Sequence, residues 1–390
     1  MLNTSFAPWP SFTDEESEAV ARVLKSNRVN YWTGEQGRSF EYEFANWVGT
    51  KHAVAMANGT VALDAAWPVL GIGKGDEVVC TPRSFQASAS TIVMAGAKPV
   101  FADVDRDSQN ITPDTVAPYI GPATRAILCV HLAGWPCDME GFRELANRHD
   151  IRLVEDCAQA HGATIGDRSV GSFGEISAWS FCQDKIMTTG GEGGMVTTND
   201  EALWQAVWSY KDHGKSWDAI YNRNHGPGFR RVHDGWGTNW RMTEMQPAIG
   251  RIQLSRMTEW HTARKRNALR LLEGFGVIDA LRCPEPPVNM EHAWYKFYTF
   301  VRPEALAGEW SRERVMKEIQ QAGVPCYGGA SEIYLEKSFA DAGLAPNQRL
   351  PNAAELAQTG LMFLVHPTLS DEEIGKTIGV VRDVMKRATR

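Results

Sequence analysis

Five short runs of apolar and β-branched residues, at 77–81, 99–104, 126–131, 152–156 and 178–181, set the main constraint on what this chain can fold into. Runs this short, and apolar almost throughout, predict strands buried on both faces. The stretch 139–146, between the third and fourth, has apolar residues at helical spacing. Strands alternating with helices predict a mostly parallel sheet with helices on both sides, an α/β architecture. In such sheets ligands bind outside the carboxyl ends of the strands. The residues at those ends therefore carry the functional argument.

The 390 residues suit two packed domains. An opening rich in Pro and aromatic residues reads as an extended arm. Thr13, followed by Asp14, Glu15 and Glu16, predicts a capped helix running through Val20, Val23 and Leu24. Residues 55–70 read as a loop and then a helix, and 71–76 as a turn. Beyond residue 250 the texture changes: 249–272 reads as one long helix, 283–287 as a Pro-rich break, and 293–301, 311–322 and 371–387 as smaller strand and helix units. This predicts a large domain over 1–250 that includes the arm. A connecting helix and a small C-terminal α/β domain then fill 251–390.

Several functions are disfavoured at once. A net charge of -7 gives no basic footprint for nucleic acid. No apolar run reaches the ~18 residues of a membrane-spanning helix. The first ten residues lack the basic and apolar regions of a signal peptide. The seven cysteines are odd in number and contain no C-x-x-C pair, so neither a disulfide framework nor a metal knuckle is expected. A reducing cytoplasm fits them.

Asp156 ends the fourth predicted strand, and Lys185 follows 29 residues later, ahead of the Gly-rich loop 190–194. An acid that holds a heterocyclic nitrogen protonated, together with a lysine amine, is the pair that pyridoxal phosphate requires. Taken singly, each has a plainer reading: a turn former, a solvated charge, a tight turn. Two further segments shift the balance. Asn58-Gly59-Thr60 opens a helix, whose free N–H groups can hold a phosphate; the alternative is an ordinary cap and turn. Phe85 follows a strand end and can stack on a flat ring, or can simply pack in the core.

In their order, these segments resemble the DegT/StrS family of sugar aminotransferases, which are fold-type I pyridoxal-phosphate enzymes. The resemblance rests on Asn58-Gly59-Thr60, Phe85, the block 155–162, Ser180-Phe181 with Lys185 and its Thr-Thr-Gly loop, the stretch 237–248, and the stretch 362–367. It spans nearly the whole chain. It implies Lys185 as the Schiff-base lysine and proton carrier, and Asp156 as partner of the pyridine nitrogen. Gln159 would bond the ring hydroxyl and Phe85 would stack on the ring. Gly59, Thr60 and Ser180 would bind the phosphate, and Asn239 would reach the phosphate of a neighbouring subunit across a homodimer. The segment Pro82-Arg83-Ser84-Phe85 departs from the family's usual Ser/Thr-Phe-Thr pattern. Some relatives carry histidine in place of the lysine and act as sugar dehydratases; Lys185 favours transamination.

The function so implied is transfer of an amino group from glutamate or glutamine to a keto sugar, nucleotide-linked, in amino-sugar and surface-polysaccharide biosynthesis. A keto-inositol acceptor and a non-catalytic sensor are the competing readings. No metal is expected. Among the basic residues of 209–233, Lys215, Arg223, Arg230, Arg231 and His233 are solvated loop charges or a seat for the substrate diphosphate, with Arg230 and Arg231 the pair singled out.

Overall fold

The computed structural model describes residues 6–389; the first five residues, where the expected arm begins, lie outside them. Its centre is a seven-stranded sheet of β1 (His52–Met56), β2 (Glu77–Cys80), β3 (Lys98–Phe101), β4 (Thr124–Val130), β5 (Arg152–Asp156), β6 (Ile176–Ser180) and β7 (Gly194–Thr198). The spatial order is β1-β7-β6-β5-β4-β2-β3. Neighbours from β6 to β3 pair in parallel, and β7 runs antiparallel to both β1 and β6. Strands β4 and β5 are buried except near their starts, as a doubly covered sheet requires.

The five expected strands are present, each within a few residues of its expected bounds. β1 and β7 were not expected. Their sequences, His-Ala-Val-Ala-Met and Gly-Met-Val-Thr-Thr, adjoin the Asn-Gly turn and the Gly-rich loop and carry no strand assignment from the sequence. The helix Gln36–Val48 was also not foreseen. The long helix expected over 249–272 is two, Met245–Ser255 and Met257–Gly276, broken at Arg256. Among the described residues no helix is long and apolar enough to cross a membrane.

A second sheet of three short strands, Leu281–Arg282, Phe297–Val301 and Gly360–Phe363, is antiparallel. It packs with the helices Met257–Gly276 and Asp371–Ala388 around Leu271, Phe275, Val381 and Met385. The residues between its last two strands return to the large sheet. Tyr334 and Phe339 each lie 5.7 Å from the Phe101 ring. The buried Arg83 guanidinium donates to Gln109 (2.8 Å) and to the Ala353 carbonyl (3.2 Å). The unusual residue of the Pro82–Phe85 segment therefore fastens this return segment to the sheet.

Glu155, on β5, is wholly buried, and its carboxylate accepts from the amides of Gly171 (2.8 Å), Phe173 (2.9 Å) and Gly174 (2.8 Å), and from the Ser177 hydroxyl (3.0 Å). His131 Nε2 completes the set at 3.1 Å. The Cys137 amide donates to His131 Nδ1, so the proton sits on Nε2. Burial raises the Glu155 carboxyl, but the His131 bond and the glycine amides outweigh it and hold the group below its usual range. A carboxylate so lowered contributes stability above its unfolded value, ~4.3, and loses it as pH falls through the folded value.

Glu155→Gln turns an NH₂ toward donors. We expect a loss of about 3 kcal/mol in urea unfolding at pH 7. The difference from wild type should shrink as the pH falls below the glutamate range. A loss under about 1 kcal/mol, independent of pH, would remove Glu155 from this role.

Candidate active site

The helix Gly59–Val69 starts directly after β1. Asn58 caps it, taking the Val61 amide on Oδ1 at 3.0 Å, while its carbonyl takes Ala62. The amides of Gly59 and Thr60 are left without an acceptor among the described residues. They are the orphan donors of a helix N-terminus. Ser180, at the carboxyl end of β6, lies against them: a Cβ on Gly59 would sit 2.6 Å from Ser180 Cβ. Glycine is required here for close approach. The result is two free amides at the positive end of the helix dipole with the Ser180 hydroxyl close by, the donor set that a phosphate dianion takes.

Asp156 ends β5 and is buried. The Ser88 hydroxyl donates to its Oδ2 at 2.8 Å and the Ala158 amide to Oδ1 at 3.1 Å. Burial pushes the carboxyl up, opposed by these two bonds and by the charge of Lys185. Ser84 joins the chain through a 2.9 Å contact between its hydroxyl and that of Ser88. Between these serines Phe85 is 71% exposed, which rules out core packing within this chain and leaves the ring uncovered. Gln159 has its carbonyl occupied by the Ala133 amide (2.8 Å), so its NH₂ is the end left to donate.

Lys185 lies in the connection between β6 and β7. The Trp9 indole N–H donates to its backbone carbonyl at 2.8 Å. Trp9 packs edge-on to Trp260 and stacks on His366, so the N-terminal arm reaches the lysine within its own chain. Thr188, further along the connection, is fixed by Gln253 and by the Phe181 carbonyl. The Lys185 amine lies 5.0 Å from the Tyr295 ring centroid. The Tyr295 hydroxyl donates to Asp184. Partial burial raises the Asp184 carboxyl, but Lys185, this bond and Lys296 bring it below its usual range. Two more basic groups lie in the core nearby. His161 has neither ring nitrogen bonded; burial, with the charges of Lys185 and Arg264, lowers it to about 3. Burial lowers Arg264 to about 9. This core is rich in bases and poor in acids.

Asn239 is exposed on a segment fastened to β1: its backbone bridges to Asp212, and the Trp240 carbonyl takes the Ala57 amide at 2.9 Å. Four cations singled out in 209–233 divide into two groups. Lys215 bonds Asp212 (2.9 Å), and Arg223 bonds Asp218 (3.3 Å) and Asp234 (2.7 Å). Arg230 donates only to the Ile220 carbonyl (3.0 Å), and both it and Arg231 are exposed. No hydrogen bond joins them to Lys185, Asp156 or the Gly59 cradle within one chain. The same loop exposes Phe229 and, at 96%, Trp236.

Four residues of this site escaped the sequence reading: Ser88, Trp9, Tyr295 and Lys296. Ser88 stands within a stretch already singled out, three residues past Phe85, but no pattern in sequence gives the direction of a serine hydroxyl. The other three are joined to the site only by contacts across more than a hundred residues.

A model of the DegT/DnrJ/EryC1/StrS aminotransferase family matches residues 10–382. An aminotransferase structure from Psychrobacter cryohalolentis is 55% identical, with a TM-score of 0.97 over 99% of this chain and 100% of that one. A UDP-N-acetyl-3-dehydro-alpha-D-glucosamine 3-aminotransferase of Acidithiobacillus ferrooxidans is 34% identical, covering 98% of this chain and 96% of its own. The dTDP-3-amino-3,4,6-trideoxy-alpha-D-glucose transaminase of Streptomyces venezuelae is 33% identical, covering 98% and 95%. The chain belongs to the DegT/DnrJ/EryC1/StrS aminotransferase family.

Proposed function

We propose that this aminotransferase binds pyridoxal phosphate and moves an amino group from glutamate or glutamine to a nucleotide-linked keto sugar, in amino-sugar and surface-polysaccharide synthesis. The observation that carries the reading is a buried strand-end carboxylate, Asp156, within reach of the Lys185 charge, in a fold that also leaves two helix amides unpaired against Ser180. The substrate class follows the relatives named for nucleotide sugars.

The residues present fit the cofactor. Gly59, Thr60 and Ser180 would hold its phosphate. Asp156, fixed by Ser88, would face the ring nitrogen; a positive charge there reverses the upward push of burial and keeps the carboxylate ionised. Gln159 would donate to the ring hydroxyl, and Phe85 would cover a ring face. When bound, pyridoxal phosphate supplies an electron sink for negative charge developing at the substrate carbon. Lys185 would hold the cofactor covalently, then take a proton at one substrate carbon and return it at another atom. Trp9 and Tyr295 would keep that amine over the site. Donor and acceptor would use the site in turn. Arg230 and Arg231 would meet the acceptor's diphosphate, and Asn239 would serve the phosphate of a second subunit's cofactor in a homodimer. The reading places the enzyme in a reducing cytoplasm, where its seven cysteines stay thiols.

The central test is a mass-detected panel of nucleotide-linked keto sugars with glutamate or glutamine as donor. We expect wild type to form an amino sugar, and Lys185→Ala and Asp156→Asn to lose at least about 1,000-fold in kcat, the cost of losing an essential proton carrier or charge partner. In the same assay Arg230→Ala with Arg231→Ala should raise KM for the sugar far more than for the donor. Full activity of Lys185→Ala would end the reading. Turnover of a free keto-inositol, with nucleotide sugars inert, would replace the substrate class.

Gly59→Val tests the cradle without touching the chemistry. Its side chain must enter the space of Ser180. We expect at least about tenfold weaker binding of pyridoxal phosphate by fluorescence quenching, with the unfolding midpoint close to wild type. Unchanged affinity would place the phosphate elsewhere.

Asn239 calls for a mixing experiment. Lys185→Ala and Asn239→Ala subunits, each inactive alone, should regain activity when exchanged into a heterodimer, because one of its two sites is intact. No recovery, with exchange verified by mass, would assign Asn239 to its own chain's site.

A further inference from the structure

A small cavity opens where the loops leaving β3 and β4 meet the start of the strand Phe297–Val301. Its wall includes Gln109, Ala133, Trp135, His292, Trp294 and Lys296. Its volume is about 20 Å³, room for one or two water-sized groups. That admits the two oxygens of a carboxylate and excludes a sugar ring. The cavity adjoins the cofactor site, since the Ala133 amide on its wall is the one that holds Gln159. The wall is rigid. The amides of Ala293 and Tyr295 donate to the carbonyls of Gly134 and Ala133, both at 2.9 Å. The His292 ring stacks on Trp294 at 4.1 Å.

The lining is built to donate. Lys296 forms no ion pair with any carboxylate among the described residues, and its amine rests 4.7 Å from the Tyr295 ring centroid. Lys185 lies 5.0 Å from the same centroid, so one ring carries both amines. His292 takes the Trp294 amide on Nδ1 at 2.7 Å, which puts its proton on Nε2, and that N–H has no partner among the described residues. The one acid on the wall, Asp107, is already bonded to Arg282 at 2.6 Å. Burial lowers Lys296 to about 8, opposed by Asp184 and reinforced by Arg264 and Lys185. Its ammonium is the dominant species at neutral pH, and Asp184, the carboxylate that favours it, makes no direct ion pair with it.

We infer that Lys296, with the His292 Nε2–H on the same cavity wall, receives a carboxylate of the amino donor. The inference rests on the aminotransferase reading and deepens it. An amino-acid donor must present its amine to the cofactor while its carboxylate finds a cation, and the keto sugar has no carboxylate to place there. A cation of this kind lets one site accept two unlike substrates in turn: the donor is recognised by a lysine that the acceptor leaves to water.

The test uses the holoenzyme and glutarate, which has both carboxylates and no amine to react. Calorimetry should detect glutarate binding to wild type. Lys296→Met should weaken it at least about tenfold, the loss of one charge-assisted hydrogen bond. Lys296→Arg should restore most of it, and affinity for pyridoxal phosphate should stay at the wild-type value in both. Stopped-flow decay of the cofactor band then gives each donor's apparent Kd separately from its limiting rate. Glutamine lacks the side-chain carboxylate, and 4-aminobutyrate lacks the one beside the amine. Sensitivity of glutamine to Lys296→Met, with 4-aminobutyrate insensitive, supports the subsite for the α-carboxylate; the reverse supports it for the side-chain carboxylate. Wild-type glutarate affinity and donor Kd values in Lys296→Met would overturn it, as would failure of wild type to bind glutarate. A wild-type cofactor band that no amino donor alters, with glutarate binding still dependent on Lys296, would instead sink the aminotransferase reading.

Discussion

Two adjacent carboxylates at the end of one strand organise this molecule. Successive residues of a strand face opposite sides of the sheet, so Glu155 and Asp156 look into different environments. Glu155 is surrounded by donors: three amides, a hydroxyl and an imidazole. Those bonds fix the turn 171–174 that leads into β6, and β6 ends on Ser180. Asp156 has only two donors. One acid is saturated and structural; the other is buried with capacity left over. Holding an incompletely paired carboxyl in the interior is costly, and the saturated neighbour is part of what keeps the strand from moving to relieve it.

The lysine connection is held by contacts from distant parts of the chain. Trp9 comes from the arm, Gln253 from the helix Met245–Ser255, and Tyr295 from the edge of the small sheet. Arg264 joins two of these: its guanidinium lies 5.0 Å from the Trp9 ring centroid and approaches the carbonyls of Trp294 and Tyr295 at 3.4 Å. A guanidinium with Nε and one terminal nitrogen unbonded contributes little net stability. Its effect is positional, since it sits between the two aromatic residues that bound Lys185.

How far the sequence could be read follows from the range of the contacts. The parallel strands were legible because an apolar run is a local signal. Asp156 and Lys185 were legible as candidates because strand ends and Gly-rich loops are local too. β1 and β7 were not, because their alanines and glycine carry weak strand preference, and pairing with a neighbour supplies the rest. The break at Arg256 was invisible because apolar residues continue in helical register on both sides of it. Phe85 was ambiguous between ring stacking and core packing until its exposure removed the second. Tyr295 and Lys296 had no signal, since what makes them notable is their distance from Lys185.

The distribution of cations separates the two substrates. In the loop after the helix Glu201–Tyr210, Asp212 takes Lys215 and Arg241, and Asp218 and Asp234 take Arg223. These acids neutralise the cations that hold the loop in shape. Arg230 and Arg231 remain exposed, where a diphosphate is partly solvated and its attraction is screened by salt. Lys296 is half-buried on the wall of a small cavity, where a single carboxylate is felt more strongly and screened less. In the proposed reading the large, multiply charged acceptor is therefore collected at the rim, and the small donor is recognised in the interior. Raising ionic strength should then weaken the acceptor more than the donor. This asymmetry follows from the depth of the two charge sites, whatever sugar the enzyme takes.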